Sequence, residues 1–168
     1  MSKVGSIYRR IIALFTDRPS RFSWIDEHVA ASGQPMTRSQ VEWIKSQGID
    51  MVISLTEQPL PREWIENADL EYRHFPVKDH SAPSPELLKK IVNEVLNAKA
   101  RGKKVLIHCA AGLGRTGTLL AAYLIALEKI SGDEAIKKVR ILRPGSIELV
   151  QEKSVLEFQR RYFPKAAP

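Results

Sequence analysis

The stretch Val105-Leu-Ile-His-Cys-Ala-Ala-Gly-Leu-Gly-Arg-Thr-Gly117 decides how this chain is read. It opens on apolar residues of strand length, ends that run on a thiol at Cys109, and places a guanidinium at Arg115. Beyond it, Leu119 to Leu127 is uncharged throughout, too short for the ~20 residues of a membrane span, and predicts a buried helix starting around Arg115. Between thiol and guanidinium lie Ala110, Ala111, Gly112, Leu113 and Gly114, all small or apolar. If this loop curls with its amides inward, those N–H groups and the positive end of the following helix form a nest for an anion. Gly112 and Gly114 would permit the positive φ angles that such a nest requires.

The same field favours thiolate over thiol, because a cysteine at a helix N-terminus beside an arginine titrates below its free value. Cys109 is therefore expected to be a nucleophile, and Arg115 to grip two phosphate oxygens and follow their charge during transfer. A departing alkoxide or phenoxide needs a proton. Asp79, on a loop marked by Pro83 and Pro85, is one carboxylate placed to supply it, and the resemblance described below singles it out. As a carboxylate it would then take a proton from the water that hydrolyses the thiophosphate.

Outward from the loop, the chain alternates strands and helices. Strands are expected at Met51–Leu55, Tyr72–Val77 and Lys104–His108, with an extended segment or hairpin in FSWIDEHVAAS. Thr37-x-x-Gln40 has the form of a capping box opening a helix to Gln47, and Ser84-Pro85 of an N-cap with proline at the first helical position. Ser131-x-x-Glu134 caps another helix, and Arg143-Pro-Gly-Ser146 turns the chain into a last one ending near Tyr162. Interleaved helices and strands predict an α/β fold with a central mixed sheet flanked by helices. Residues 1–20 read as a basic amphipathic extension, with Ile7, Ile11, Leu14 and Phe15 expected to pack on a single catalytic domain over residues 21–168. Membrane contact through residues 7–15 is the lesser alternative.

The balance of 26 Lys+Arg against 19 Asp+Glu gives a net charge of +7, which draws anionic partners. A single cysteine permits no internal disulfide, and with no secretory signal the expected compartment is the cytoplasm. The histidines and the cysteine show no metal-ligand spacing, so no metal is expected.

His108-Cys109-x-x-Gly112-x-x-Arg115-Thr116-Gly117 resembles, at every defined position, the signature of the protein tyrosine phosphatase superfamily. Together with FSW, SLTE at 54–57 and RPGSIE at 143–148 followed by QEK, the chain looks like the small atypical dual-specificity phosphatases of the VHZ type, over roughly Phe22 to Arg161. That resemblance implies the dual-specificity phosphatase fold, phosphorylated protein or peptide substrates, binding of phosphate-like anions, and no cofactor. It implies for Asp79 the general-acid role and for Thr116 a hydroxyl that donates a hydrogen bond to the departing thiolate. His108 is expected to hold the strand end, and Glu57 to orient Arg115 by a charge-paired hydrogen bond. Gln151 would position the hydrolytic water, although the segment after RPGSIE is one residue shorter than the VHZ type leads one to expect.

Two other functions share the motif. An RNA 5′-phosphatase on the same scaffold would suit the basic charge, but no aromatic-rich stacking motif supports nucleic acid. A non-catalytic phosphopeptide-binding module would keep the nest without turnover, and Cys109, Arg115, Thr116 and Asp79 together speak against it. Inositol-lipid phosphatases commonly carry lysine within the loop, where this chain has Ala110, Ala111 and Leu113.

Overall fold

The computed structural model describes residue 7 and residues 16–164. The amphipathic segment from Ile7 to Phe15 lies outside the described residues apart from Ile7, which is exposed. By its contacts the chain divides into two compact units. The first comprises the residues up to Asp79 together with Ala98–Gly112, and the second His80–Asn97 together with the residues from Leu113 onward.

All the strands belong to the first unit: β1 (Ser23–Trp24), β2 (Val29–Gly33), β3 (Met51–Ser54), β4 (Glu71–His74) and β5 (Val105–Cys109). They form one sheet in the order β1-β2-β5-β3-β4, with β1 antiparallel to β2 and the other pairs parallel. This is the expected mixed sheet. FSWIDEHVAAS is its hairpin, turned by Asp26, whose carboxylate accepts from the amides of His28 and Val29 at 2.7 and 2.8 Å. Strands β2, β3 and β5 are buried at every residue, which is why they read as apolar or small runs without a polar alternation.

One face of the sheet presents Ala30, Leu106 and Val52 side by side in register. Helix α1 (Arg38–Ser46) contributes Val41 and Ile44 to the same core, and the short α2 (Arg62–Asn67) contributes Ile65. The expected cap of α1 forms only in half: Thr37 Oγ1 accepts from Gln40 N, but the Gln40 carboxamide accepts from Met36 N instead of Thr37 N. Its nitrogen donates to the carbonyls of Thr16 and Arg18, so buried Gln40 ties the residues before Pro19 into the first unit. No strong sequence signal announces α2, which has six residues, one buried side chain and no side-chain cap.

Strand β4 ends at His74, short of the expected Val77, because Pro76 has no amide to donate. The chain nevertheless keeps following β3, with Phe75 N bonded to Ser54 O at 2.9 Å and Val77 N to Leu55 O at 3.3 Å. This carries Asp79 to the carboxyl side of the sheet.

The second unit is helical. It holds most of α3 (Pro85–Ala100), where Ser84 Oγ accepts from Leu87 N as its predicted cap, and all of α4 (Gly114–Glu128), α5 (Gly132–Leu142) and α6 (Leu149–Tyr162). Helix α4 is buried from Arg115 to Ala126, as an all-apolar helix must be, and packs against α5 and α6. Helix α5 carries the complete capping box predicted at Ser131 and Glu134.

Candidate active site

Cys109 is the last residue of β5, paired in register with Gly33 of β2, and is buried. In open α/β sheets this carboxyl edge is where ligands bind. His108, one step earlier, is fully buried between Ser32 and Ser54 on the two neighbouring strands.

The next residues turn their carbonyls to one side. Ala110 O accepts from Gln34 N at 3.2 Å and Ala111 O from the Arg21 guanidinium at 3.5 Å. In a trans peptide the N–H points opposite to the C=O of the same plane, so the amides of Ala111 and Gly112 are directed to the other side. Gly112 has φ +74°, and a Cβ there would stand 2.4 Å from Ser32 O and 2.6 Å from Gly33 N. Only glycine meets both demands.

In the second unit Leu113 is the N-cap of α4 and supplies no side-chain cap, so no side chain from that position satisfies the first amides of a fifteen-residue helix. Arg115 and Thr116 follow, both buried. Thr116 Oγ1 has no hydrogen-bond partner among the described residues. Leaving a buried hydroxyl unpaired costs about 1–3 kcal/mol, which suits a donor held for a bound group.

Gln151 lies against the start of α4: a Cβ on Gly114 would be 2.8 Å from its Nε2 and 3.0 Å from its Oε1. The side chain is buried and doubly held, its Oε1 accepting from Glu148 N at 2.8 Å and its Nε2 donating to Ser81 O at 3.2 Å. Asp79 sits half-buried in the turn after β4, just before His80, whose φ is +58°. Glu57 is exposed on the loop after β3 and makes no hydrogen bond or ion pair among the described residues. Its buried neighbour Thr56 takes the inward position, with Oγ1 bonded to Ser54 Oγ at 2.7 Å and to Gln58 O at 2.6 Å. Among the described residues no cluster of His, Cys, Asp or Glu could hold a metal ion.

Residues 19–156, most of the chain, match the family model described as PTP-SAK, Swiss Army Knife protein, DSP-PTPase phosphatase domain. The chain belongs to this phosphatase family. It is 33% identical over 147 residues to protein tyrosine phosphatase domain-containing protein 1 of Bos taurus, a match covering 75% of this chain and 18% of that protein. It is 28% identical over 162 residues to dual specificity protein phosphatase CDC14B of Mus musculus, covering 84% and 33% respectively. The chain thus spans about a fifth to a third of the length of these curated relatives. Among solved structures, Tk-PTP in the active form superposes with TM-score 0.77 at 35% identity, covering 83% of this chain and 97% of that one. PTPMT1 in complex with PI(5)P gives TM-score 0.76 at 27% identity, covering 87% and 99%. The expected dual-specificity phosphatase fold is therefore present.

Within this DSP-PTPase domain, sequence reasoning missed the brace around the loop. Ser20 O accepts from Gly33 N at 2.7 Å, and a Cβ on Gly33 would fall 2.3 Å from Ser20 Oγ and 3.4 Å from Ala110 O. Arg21, at φ 53°, completes the brace. Non-glycine residues in this region carry strain of about 1 kcal/mol or more and persist where the surroundings dictate them. No local motif marks Ser20 and Arg21, because their role depends on a loop ninety residues away. Gly117 likewise has a packing role, since its Cβ would meet Ser146 Cβ at 2.9 Å and Ile147 Cγ1 at 3.0 Å.

Proposed function

We propose that the chain hydrolyses phosphotyrosine, phosphoserine and phosphothreonine monoesters in proteins through a cysteinyl-phosphate intermediate. The observation that supports this most is the loop itself: Cys109 at the strand end, carbonyls of Ala110 and Ala111 tied to one side, and an α4 N-terminus without a side-chain cap.

The amides of the loop, from Ala110 through Arg115, hold the phosphoryl oxygens, and the Arg115 guanidinium forks two of them. The Cys109 thiolate attacks phosphorus, the P–O bond to the side chain breaks, and Asp79 gives its proton to the departing oxygen. Water then attacks phosphorus while Asp79 takes a proton from it. The S–P bond breaks, the electron pair returns to sulfur, and the Thr116 hydroxyl donates a hydrogen bond to the thiolate. Gln151, held over Gly114 by Glu148 and Ser81, orients that water through its carboxamide.

A second reading, hydrolysis of an inositol lipid, draws on the likeness to PTPMT1, whose structure contains PI(5)P. The uncharged Ala110, Ala111 and Leu113 offer no cation to further phosphates, which favours the protein substrate.

The decisive measurement is hydrolysis of an aryl phosphate, phosphopeptides and PI(5)P by the wild type, Cys109→Ser and Asp79→Asn. Phosphopeptide turnover should vanish in Cys109→Ser and fall by about 10²–10⁴ in kcat in Asp79→Asn. Equal slow turnover by wild type and Cys109→Ser would show that the chain binds without catalysing, and PI(5)P as the better substrate would favour the second reading.

A further inference from the structure

The loop of the second unit that turns α5 into α6 is apolar and exposed. Ile141 is 71% exposed, Leu149 79% and Val150 51%, with Leu142 and Pro144 exposed beside them. Singly exposed apolar side chains are ordinary, but five within residues 141–150, on two helix ends tied together, form a patch of the kind that marks an interaction surface. Arg140 holds the patch together. Its guanidinium donates to Ser146 O at 3.2 Å and Ile147 O at 2.7 Å and pairs with Glu152 at 2.5 Å, stapling the end of α5 to the start of α6. The patch is thus a formed surface on two helix ends.

It also adjoins the second unit's end of the loop, at Leu113 and Gly114. A Cβ on Gly145 would be 3.8 Å from Leu113 Cδ1, and Gln151, next after Val150, lies on Gly114.

The charges around it are one-sided. The nearby carboxylates are engaged, Glu148 in a hydrogen bond with His80 Nδ1 at 3.0 Å and Glu152 in an ion pair with Arg140. Lys137, one helical turn before Ile141, and Lys153, one turn after Leu149, are exposed and have no ion-pair partner among the described residues. An apolar tip with unpaired lysines one turn behind it is complementary to an anionic lipid surface, where apolar side chains enter the acyl boundary and ammonium groups meet the headgroups. A single hydrophobic side chain of a phosphopeptide would cover only part of so wide a patch.

We propose that Ile141, Leu142, Pro144, Leu149 and Val150, with Lys137 and Lys153, dock the chain on an anionic membrane surface and bring the phosphate loop to phosphomonoesters displayed there. Docking is a binding property and stands or falls independently of turnover.

Sedimentation of the full chain with phosphatidylcholine vesicles, with and without about one third phosphatidylserine, tests the proposal. Wild type should bind the anionic vesicles, and Ile141→Ser/Leu149→Ser should bind them at least ~10-fold more weakly. Lys137→Glu/Lys153→Glu should lose ~5-fold or more per lysine and show a weaker salt dependence. Soluble aryl phosphate hydrolysis, circular dichroism and Tm, unchanged in both variants, would show that the fold is intact. Absence of vesicle binding by wild type, or binding indifferent to these substitutions, overturns the proposal. So does a result in which the apolar variant binds vesicles normally but loses kcat/KM for phosphopeptides with a flanking leucine, which would make the patch a peptide site.

Discussion

Two glycines in the signature, Gly112 and Gly114, act through different contacts, and substitution separates them. At Gly112 both the positive φ and the approach to the Ser32 carbonyl forbid a side chain, and the obstacle is backbone. At Gly114 the obstacle is the Gln151 carboxamide. Gly112→Ala should therefore destabilise by about 2 kcal/mol or more and abolish phosphate binding. Gly114→Ala should lower Tm less, and adding Gln151→Ser should recover part of the loss. This non-additivity, read from the double-mutant cycle by thermal denaturation, is the sign that the two residues touch. Equal and additive losses would remove Gln151 from the loop.

Helix α6 shows how an element holds itself and its neighbour. Glu157 accepts from both Arg160 and Arg161, and Arg161 also reaches Glu86 at the start of α3. Hydrogen bonds from Arg161 and then Arg160 hold the Glu157 carboxyl below its ordinary value. The Glu86 carboxyl is also lowered, first by its own backbone amide and then by Ser84, with Arg161 a smaller cause. A depressed carboxyl contributes stability that is present above its ordinary titration range and is lost as pH falls through the lowered value. In Arg161→Ala, NMR titration should show Glu157 moving up markedly and Glu86 only slightly. Because these ion pairs lie at the surface, Tm at neutral pH should change little. Equal upward shifts would mean that the helix-start amide and Ser84 do not govern Glu86.

For the whole molecule, the proposed nest makes stability depend on its ligand. A ligand that binds only the folded state raises stability with concentration, by about 2.7 kcal/mol at a hundred times its Kd. Inorganic phosphate should accordingly raise the Tm of the wild type and leave that of Arg115→Ala unmoved, as scanning calorimetry at constant ionic strength would record. A rise of equal size in both would place the anion elsewhere on this basic chain.

Much of the fold was legible because its signals are local. Continuous apolar runs give β3 and β5, proline and serine punctuation gives the start of α3, and the uncharged stretch after Arg115 gives a helix buried all round. The thiol and guanidinium of the candidate site were legible for the same reason, since one loop carries both. Contacts between distant segments were not. The amino-acid sequence by itself determined the strand-loop-helix order around Cys109 to Thr116 and the mixed α/β class. Only the tertiary structure decided that Ser20, Arg21 and Gln34 brace the loop, that Gln151 lies on Gly114 despite the shortened segment before it, and that Glu57 faces solvent while Thr56 turns inward. The physical reason is that these are matters of strand register, helix packing and burial, which residues far apart in the chain settle jointly.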